Sequence, residues 1–262
     1  MQNIGLAGWR HTFLAGATIM LLTGTISILS SCSTSSTSQD SPELDAETVV
    51  DYPNVPVPPG SKGIFKSVIA QEWLEAGLER DSDDYEGQIA DYSQAIAIDP
   101  DLDIAHNNLG NSYAGLGKYE KAITSFDQAI ELNSSDAAYY FNRGKTYKQL
   151  NKYQKAILDY DRAIKLDPDL TNAYIGRGST HRKLGEYIKA MSDFDRAIEI
   201  KLTDSEGYYN RAIAYNNRGN LQLDLKSYAK AIADYDKALE IAPNLKVTRR
   251  NRTFAAQKLG SI

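Results

Sequence analysis

Few side chains of this 262-residue chain could carry covalent or acid–base chemistry. The sequence has one cysteine, Cys32, and three histidines, of which His106 and His181 lie beyond residue 31. A single cysteine cannot form an intramolecular disulfide, and two separated histidines lack the spacing of a metal-binding cluster. The sequence also lacks a glycine-rich phosphate loop and a Gly-x-Ser-x-Gly nucleophile motif. We therefore expect neither catalysis nor a bound metal or cofactor.

Arginine and aspartate recur together in three segments of the chain. Three arginines stand at one repeated position and three aspartates at another: Arg143, Arg177 and Arg211, with Asp159, Asp193 and Asp234. Where the first position holds Leu109, the second holds Ser125. We therefore predict three charge-assisted Arg–Asp pairs, each joining two neighbouring helices. The alternative is coincidence on a solvated helix face, and Glu75 with Asp91 does not follow the pattern.

The segments that would position these pairs repeat every 34 residues. Four series of tyrosine, aromatic, alanine and glycine residues mark the step: Tyr85, Tyr119, Tyr153 and Tyr187; Tyr92, Phe126, Tyr160 and Phe194; Ala95, Ala129, Ala163 and Ala197; and Gly110, Gly144 and Gly178. A repeat of this length indicates a solenoid of stacked units. From about Ile69 to Pro243 the pattern resembles the tetratricopeptide repeat (TPR). The resemblance implies an all-α, TPR-type α-solenoid of antiparallel helix pairs, with about five repeats plus a capping helix.

The first 31 residues have the layout of a secretory signal. They contain no acidic side chain, and Arg10 and His11 precede an apolar stretch that ends at Leu29. The sequence Leu29-Ser30-Ser31-Cys32 resembles the bacterial lipobox. That resemblance implies cleavage before Cys32 and a diacylglycerol thioether on its sulfur, and thus a membrane-anchored lipoprotein of the bacterial cell envelope. The alternative is an uncleaved membrane helix, or an ordinary signal with an unrelated cysteine.

The same observations divide the chain into segments. We predict a lipoprotein signal peptide at 1–31, a lipidated cysteine and disordered Ser/Thr/Pro-rich tether at 32–63, a degenerate first repeat at 64–102, repeats at 103–136, 137–170, 171–204 and 205–245, and a capping helix with tail at 246–262. The last repeat has seven extra residues, placed at 220–226. This insert is either a specificity element or a tolerated lengthening by about two helical turns. Because Arg218-Gly219 repeats the types of Arg143-Gly144, the insert can also be read as a slipped second copy.

The TPR resemblance also implies where a partner binds. In that family, the residues at certain fixed positions on the first helix of each repeat line a concave groove. In this chain those positions include Asn107, Asn108, Asn111, Phe141, Asn142, Lys145, Lys148, Asn172, Arg182, Lys183, Tyr209 and Asn210. Asparagine side chains donate and accept hydrogen bonds, which suits an extended peptide backbone, and the central cations attract acidic groups. We therefore expect a protein or an extended peptide segment as the partner. The family's carboxylate clamp is incomplete, because Asn107 and Asn172 occupy two of its basic positions.

Two other functions stay open from the sequence. The degenerate ends or the insert could join copies into a self-assembling envelope structural protein. A peptidoglycan-binding module could instead use Tyr139, Phe141 and Tyr209 as aromatic platforms. Nucleic acid is not an expected partner, because the formal net charge is −5 and no basic footprint covers the chain.

Overall fold

The computed structural model describes residues 61–200 and 205–261, without the side chains of 61–65. The predicted signal peptide, Cys32 and the tether up to residue 60 lie outside the described residues. All described residues belong to one compact unit, 54–262. They form eleven helices and no strand: α1 Ser61–Glu79, α2 Tyr85–Ile98, α3 Asp103–Gly115, α4 Tyr119–Leu132, α5 Ala137–Gln149, α6 Tyr153–Leu166, α7 Thr171–Lys183, α8 Tyr187–Glu199, α9 Ser205–Asp224, α10 Tyr228–Ile241 and α11 Lys246–Leu259. None of these helices is long and apolar enough to cross a membrane.

Consecutive helices pack against each other along the whole described chain, as the all-α solenoid expectation requires. The odd-numbered helices from α3 to α11 also contact one another in succession. Successive even-numbered helices make no comparable contact in the described residues. The odd-numbered helices therefore line one side of the stack, which we call the inner face. The predicted groove residues lie on these helices.

An aromatic ring packed on a glycine holds each helix pair together. Phe126 of α4 is fully buried, and a Cβ at Gly110 of α3 would lie 2.6 Å from its Cε1 atom. A Cβ at Gly178 would lie 2.8 Å from Cε1 of Phe194. Real Cβ contacts are not that short, so the two helices approach this closely only because the residue has no side chain.

Short turns with one left-handed residue join the two helices of the four pairs from α3–α4 to α9–α10. Gly117 and Gly185 have φ of 71° and 76°, and Asn151 and Lys226 have φ of 56° and 57°. Glycine and asparagine are the usual residues at such a helix C-terminus. Lysine is not, so no glycine or asparagine marks the turn of the last pair in the sequence, and the nearby Gly219 lies within α9.

Two predicted boundaries are corrected by the helices. The seven extra residues do not lie at 220–226: α9 has 20 residues against 13 in α5, and the excess is at its N-terminal end, 205–211. Gly219 packs on Tyr235, where a Cβ would lie 2.7 Å from the ring, so Ala212 would not fit there. At the other end of the chain α1 begins at Ser61, so the last three residues assigned to the tether are helical.

Candidate functional site

Arg143 and Asp159 form a two-point ion pair between the helices of one repeat. Nε of Arg143 donates to Oδ2 of Asp159 at 2.9 Å, and Nη2 donates to Oδ1 at 2.7 Å. Burial by itself lowers the pKa of Arg143, but its hydrogen bonds to Asp159 raise that pKa above the usual arginine value. The same geometry joins Arg177 to Asp193, at 3.1 and 2.6 Å. These pairs hold α5 against α6 and α7 against α8.

Each of these arginines also reaches the preceding repeat. Nη1 of Arg143 donates to Asp127 of α4 at 2.5 Å, and Nη1 of Arg177 donates to Asp161 of α6 at 2.6 Å. We call this arrangement an arginine bridge: one arginine between a buried aspartate of its own repeat and an exposed aspartate of the repeat before. Sequence reasoning missed the exposed aspartates. The signal was their constant place, directly after the buried aromatic residue, as in Phe126-Asp127.

The predicted pair of Arg211 with Asp234 is wrong. Arg218 takes this place, because its Nε and Nη2 donate to Asp234 at 2.9 and 2.6 Å and its Nη1 donates to Asp195 at 2.6 Å. The seven extra residues precede this part of α9, so the second of the two similar arginines faces α10. Arg211 instead donates through Nη2 to the carbonyl oxygen of Ile200 at 3.2 Å. Its buried Nε atom has no partner in the described residues.

Both ends of the stack carry a variant of the bridge. Arg80, which follows α1, donates through Nε to Asp91 of α2 at 2.5 Å. Arg252 of α11 contacts Asp236 of α10. The sequence comparison of Glu75 with Asp91 overlooked Arg80, because Arg80 reaches Asp91 from beyond the end of the helix.

Lys145, Lys148 and Lys183 form the basic centre of the inner face, and we call them the lysine cluster. Burial lowers the pKa of Lys148, and the nearby charges of Lys145 and Lys183 lower it further. No acidic side chain in the described residues lies within 4 Å of these three amino groups. The cluster is therefore a positive site without a counter-charge in the described part of the chain.

Arg182 was predicted as part of the same groove, but it already has a partner. Its Nε and Nη2 donate to the carboxylate of Asp224 at 2.6 and 3.1 Å. This pair links the C-terminal ends of α7 and α9, and the carboxylate of Asp224 balances the positive charge of Arg182. The positive charge available to a ligand at this level comes from the lysine cluster.

Two of the six predicted asparagines, Asn107 and Asn142, join neighbouring odd-numbered helices. Nδ2 of Asn142 donates to Oδ1 of Asn107 at 3.0 Å, and Asn107 donates in turn to Asn108 at 3.3 Å. The side chains of Asn111 and Asn172 make no hydrogen bond within the described residues, and Asn111 is exposed. One asparagine pair therefore links α3 to α5 across the inner face, whereas Asn111 and Asn172 keep their amide groups available for a peptide.

The register of α9 changes which of its residues belong to the inner face. Asn216 and Asn217 correspond to Phe141 and Asn142 of α5, since Gly219 corresponds to Gly144. The predicted groove residues Tyr209 and Asn210 lie instead in the extra turns of α9, where Tyr209 is 52% exposed. Sequence reasoning missed Asn220, which accepts hydrogen bonds from Tyr235 at 2.8 Å and Asn251 at 3.0 Å.

The three aromatic residues considered for carbohydrate binding have different surroundings. Tyr139 is only 3% exposed, and its hydroxyl donates to Asp103 at 2.9 Å. The ring of Phe141 lies 6.1 Å from that of Tyr160 in a tilted contact. Because Tyr139 is buried and Tyr209 lies in the extra turns, the set does not offer one aromatic platform.

Both histidines of the described residues serve local structure. The Nε2 atom of His106 is hydrogen-bonded to the carbonyl oxygen of Pro100 at 2.9 Å, and Nδ1 of the buried His181 contacts Glu186 at 2.6 Å. No group of three His, Cys, Asp or Glu side chains in the described part of the chain is placed to hold a metal ion.

Models of the TPR family match most of the described residues. A model described as TPR repeat matches 78–117 and 111–151, and two described as tetratricopeptide repeat match 137–170 with 212–245, and 171–204. The last match in the chain begins at Ala212, in agreement with the register of α9. None of the curated proteins compared with the chain matches it.

Solved structures of other proteins resemble the chain. The crystal structure of MamA is 26% identical in sequence and has a TM-score of 0.52. The aligned region covers 62% of this chain and 95% of the MamA chain. YrrB, described as a TPR protein with an unusual peptide-binding site, is 22% identical with a TM-score of 0.54, covering 74% of this chain and 97% of its own. PilW, described as a widely conserved type IV pilus biogenesis factor, is 20% identical with a TM-score of 0.62, covering 76% and 86%. The last two show likeness of fold alone. With family models matched over more than half of its length and paired helices throughout the described residues, this chain belongs to the tetratricopeptide repeat family, a family of protein-interaction scaffolds.

Proposed function

We propose that the protein is a lipid-anchored scaffold that holds an extended, acidic segment of another envelope protein along its inner face. The observation that carries this proposal is the lysine cluster of Lys145, Lys148 and Lys183, which has no counter-charge among the described residues. Catalysis has no part in it.

The cost of the lysine cluster supports a binding role. Three like charges that approach one another destabilise the fold, and burial of Lys148 adds to this cost. Residues that destabilise a fold are typical of binding sites, where a ligand supplies what the protein lacks. A ligand carboxylate beside Lys148 would offset both effects.

Free amides next to the cluster support an extended chain as the ligand. Asn111 lies on α3 and Asn172 on α7, on the two sides of the lysines of α5. An amide side chain can bind both the N–H and the C=O group of a peptide backbone. A segment that crosses the inner face would therefore meet amides before and after the positive charges.

Changing Lys145, Lys148 and Lys183 together to alanine is expected to weaken partner binding by about tenfold, because the ligand carboxylates lose their counter-charges. The measurement is capture of partners from detergent-solubilised envelopes by the full chain, followed by titration of the captured protein. The matched control changes Lys152, Lys165 and Lys230 to alanine, which removes the same net charge from exposed positions away from the inner face. The control variant should bind as the wild type does.

Equal binding by the lysine-cluster variant and the wild type would place the partner elsewhere on the stack and reject the proposed site. Circular dichroism of both variants checks that the helices remain intact. We expect the lysine-cluster variant to be at least as stable as the wild type, since it loses only unfavourable charge contacts.

The anchor is proposed from the sequence around Cys32, which lies outside the described residues. Changing Cys32 to alanine is expected to abolish lipid attachment and signal cleavage, so that the protein migrates as the larger precursor. Mass spectrometry and labelling with radioactive palmitate measure the two changes. A serine-to-alanine change at Ser35, three residues after Cys32 in the same segment, is the control and should leave both unchanged. A Cys32 variant that remains lipidated, or keeps the size of the mature wild type, would refute the anchor.

A further inference from the structure

The first helix of the stack exposes acidic residues where the later odd-numbered helices are buried. In α3, α5, α7, α9 and α11 the residues five before and two after the glycine position (Thr253 in α11) are at most 3% exposed: Ala105, Ser112, Tyr139, Thr146, Ala173, Thr180, Ala214, Leu221, Thr248 and Ala255. In α1 Gly77 takes the glycine position against Tyr92, so the same two places hold Glu72 and Glu79. Both glutamates are exposed.

Glu75, on the same helix, is exposed as well, and we call Glu72, Glu75 and Glu79 the acidic end face. None of the three has a cationic side chain within 4 Å in the described residues. The exposed side chain of Val68 lies beside Glu72 and Glu75, around a shallow depression of about 340 Å³. Among the described residues, no helix covers this packing face at the start of the stack.

The last helix presents the opposite charge at the other end of the stack. From residue 244 to the end the chain has five lysines and arginines and no acidic residue. Lys246, Arg249 and Arg250 are exposed on α11, and we call them the basic end face. Arg249 stands where α5 and α7 have the largely buried Tyr140 and Tyr174, which pack against the next helix. No even-numbered helix follows α11 in the described residues, so nothing there covers this side.

We propose that the two end faces bind each other, so that copies of this chain associate head to tail through α11 of one copy and α1 of the next. A polar cap is enough to keep the end of a repeat stack soluble, and it needs no particular sign. Here the three residues of one end face are all acidic and the three of the other are all basic, at the places where stacking would continue. Opposite charges on matching surfaces favour their encounter and fix the register. Because the two faces differ, the contact is heterologous and leaves both outer ends open.

Two charge-reversed variants test this contact. The first changes Glu72, Glu75 and Glu79 to lysine, and the second changes Lys246, Arg249 and Arg250 to glutamate. All six side chains are exposed, so the helices should fold as in the wild type. Each variant alone brings like charges together at the head-to-tail contact, and its self-association should weaken by at least about tenfold. An equal mixture of the two restores opposite charges at both contacts and should associate as the wild type does.

Sedimentation equilibrium of the full chain in a density-matched non-ionic detergent measures the association at low and high salt. The wild type should become larger with concentration at low salt, and less so at high salt, because salt screens exposed charges. Zero-length carbodiimide coupling between copies of different isotope labelling should join a glutamate of α1 to Lys246 of another copy. A monomeric wild type at low salt, or variants that associate alone as strongly as the wild type, would overturn the proposal. Binding of α11 to phosphatidylglycerol vesicles, lost in the second variant without self-association of the wild type, would assign the basic end face to lipid instead.

Discussion

Changing Asp159 to asparagine is expected to lower the free energy of unfolding by about 3 kcal/mol, since it leaves a largely buried arginine without its charge partner. Asp159 is 6% exposed, and its two carboxylate oxygens accept hydrogen bonds from Nε and Nη2 of Arg143. The amide of asparagine offers one acceptor and turns an N–H group toward a second donor. The arginine bridge then keeps only its outer contact, with Asp127.

Chemical denaturation of the full chain measures the total loss, and hydrogen exchange shows whether it is confined to α5 and α6. Local resolution matters here because repeat arrays can open one unit at a time. Changing Asp127 to asparagine is the matched control: it touches the same guanidinium, but its carboxylate is 48% exposed. Exposed ion pairs contribute about 0–1 kcal/mol, so we expect a small effect. Equal losses from the two variants, or an Asp159 variant as stable as the wild type, would contradict the bridge as a structural element.

The chain itself supplies a second comparison. The unit with α3 and α4 has Leu109 and Ser125 in place of an arginine and a buried aspartate. Changing Arg143 to leucine and Asp159 to serine together copies that arrangement into α5 and α6. Replacing both partners of a buried pair by neutral groups avoids the stranded charge. The double variant should therefore be more stable than the single Asp159 variant.

The second large effect is expected at Gly219, where a change to alanine should destabilise the fold by about 2 kcal/mol through overpacking. The new Cβ would lie 2.7 Å from Cε1 of Tyr235, a ring that is fully buried and cannot easily move. Alanine is favoured over glycine within a helix by about 1 kcal/mol, so the steric loss must outweigh this gain. Thermal and denaturant unfolding measure the net effect.

Gly260 provides the control for that substitution. It follows α11 with ordinary helical backbone angles, and the nearest atom to its added Cβ is 3.6 Å away. Alanine there should change stability little. A Gly219 variant that is as stable as the wild type would mean that α9 and α10 are not held at this distance by the missing side chain.

Much of the fold was readable from the period of the sequence. Three of the odd-numbered helices begin at Asp103, Ala137 and Thr171, the residues from which the repeats are counted. This works because each repeat contacts only its neighbours, so local spacing carries most of the tertiary information. The contacts of Arg143 with Asp159 and of Arg177 with Asp193 could be predicted for the same reason: each pair lies within one repeat.

Contacts between repeats were harder to predict. The outer aspartates of the bridges, such as Asp127 and Asp161, belong to the preceding repeat and look like ordinary surface residues in the sequence. The sequence did contain one indication of these contacts: the repeat with Leu109 in place of the arginine is preceded by a repeat with Ser93 in place of the outer aspartate. For the inner face, sequence position identified Lys145 and Lys148 as neighbours, but not that Asp224 neutralises Arg182.

The sequence alone determined the all-α repeat architecture and the residue types of its helix-pair contacts, because packing in a repeat stack recurs with the period. The tertiary structure decided the register of α9, because two spacings in the sequence conflict: Arg211 continues the 34-residue step from Arg177, whereas Arg218 keeps the 16-residue separation from its aspartate. The choice depends on how closely α10 approaches: the ring of Tyr235 leaves no room for the Cβ of Ala212 but accommodates Gly219. In that register Arg218 pairs with Asp234, and the extra turns lie at the N-terminal end of α9.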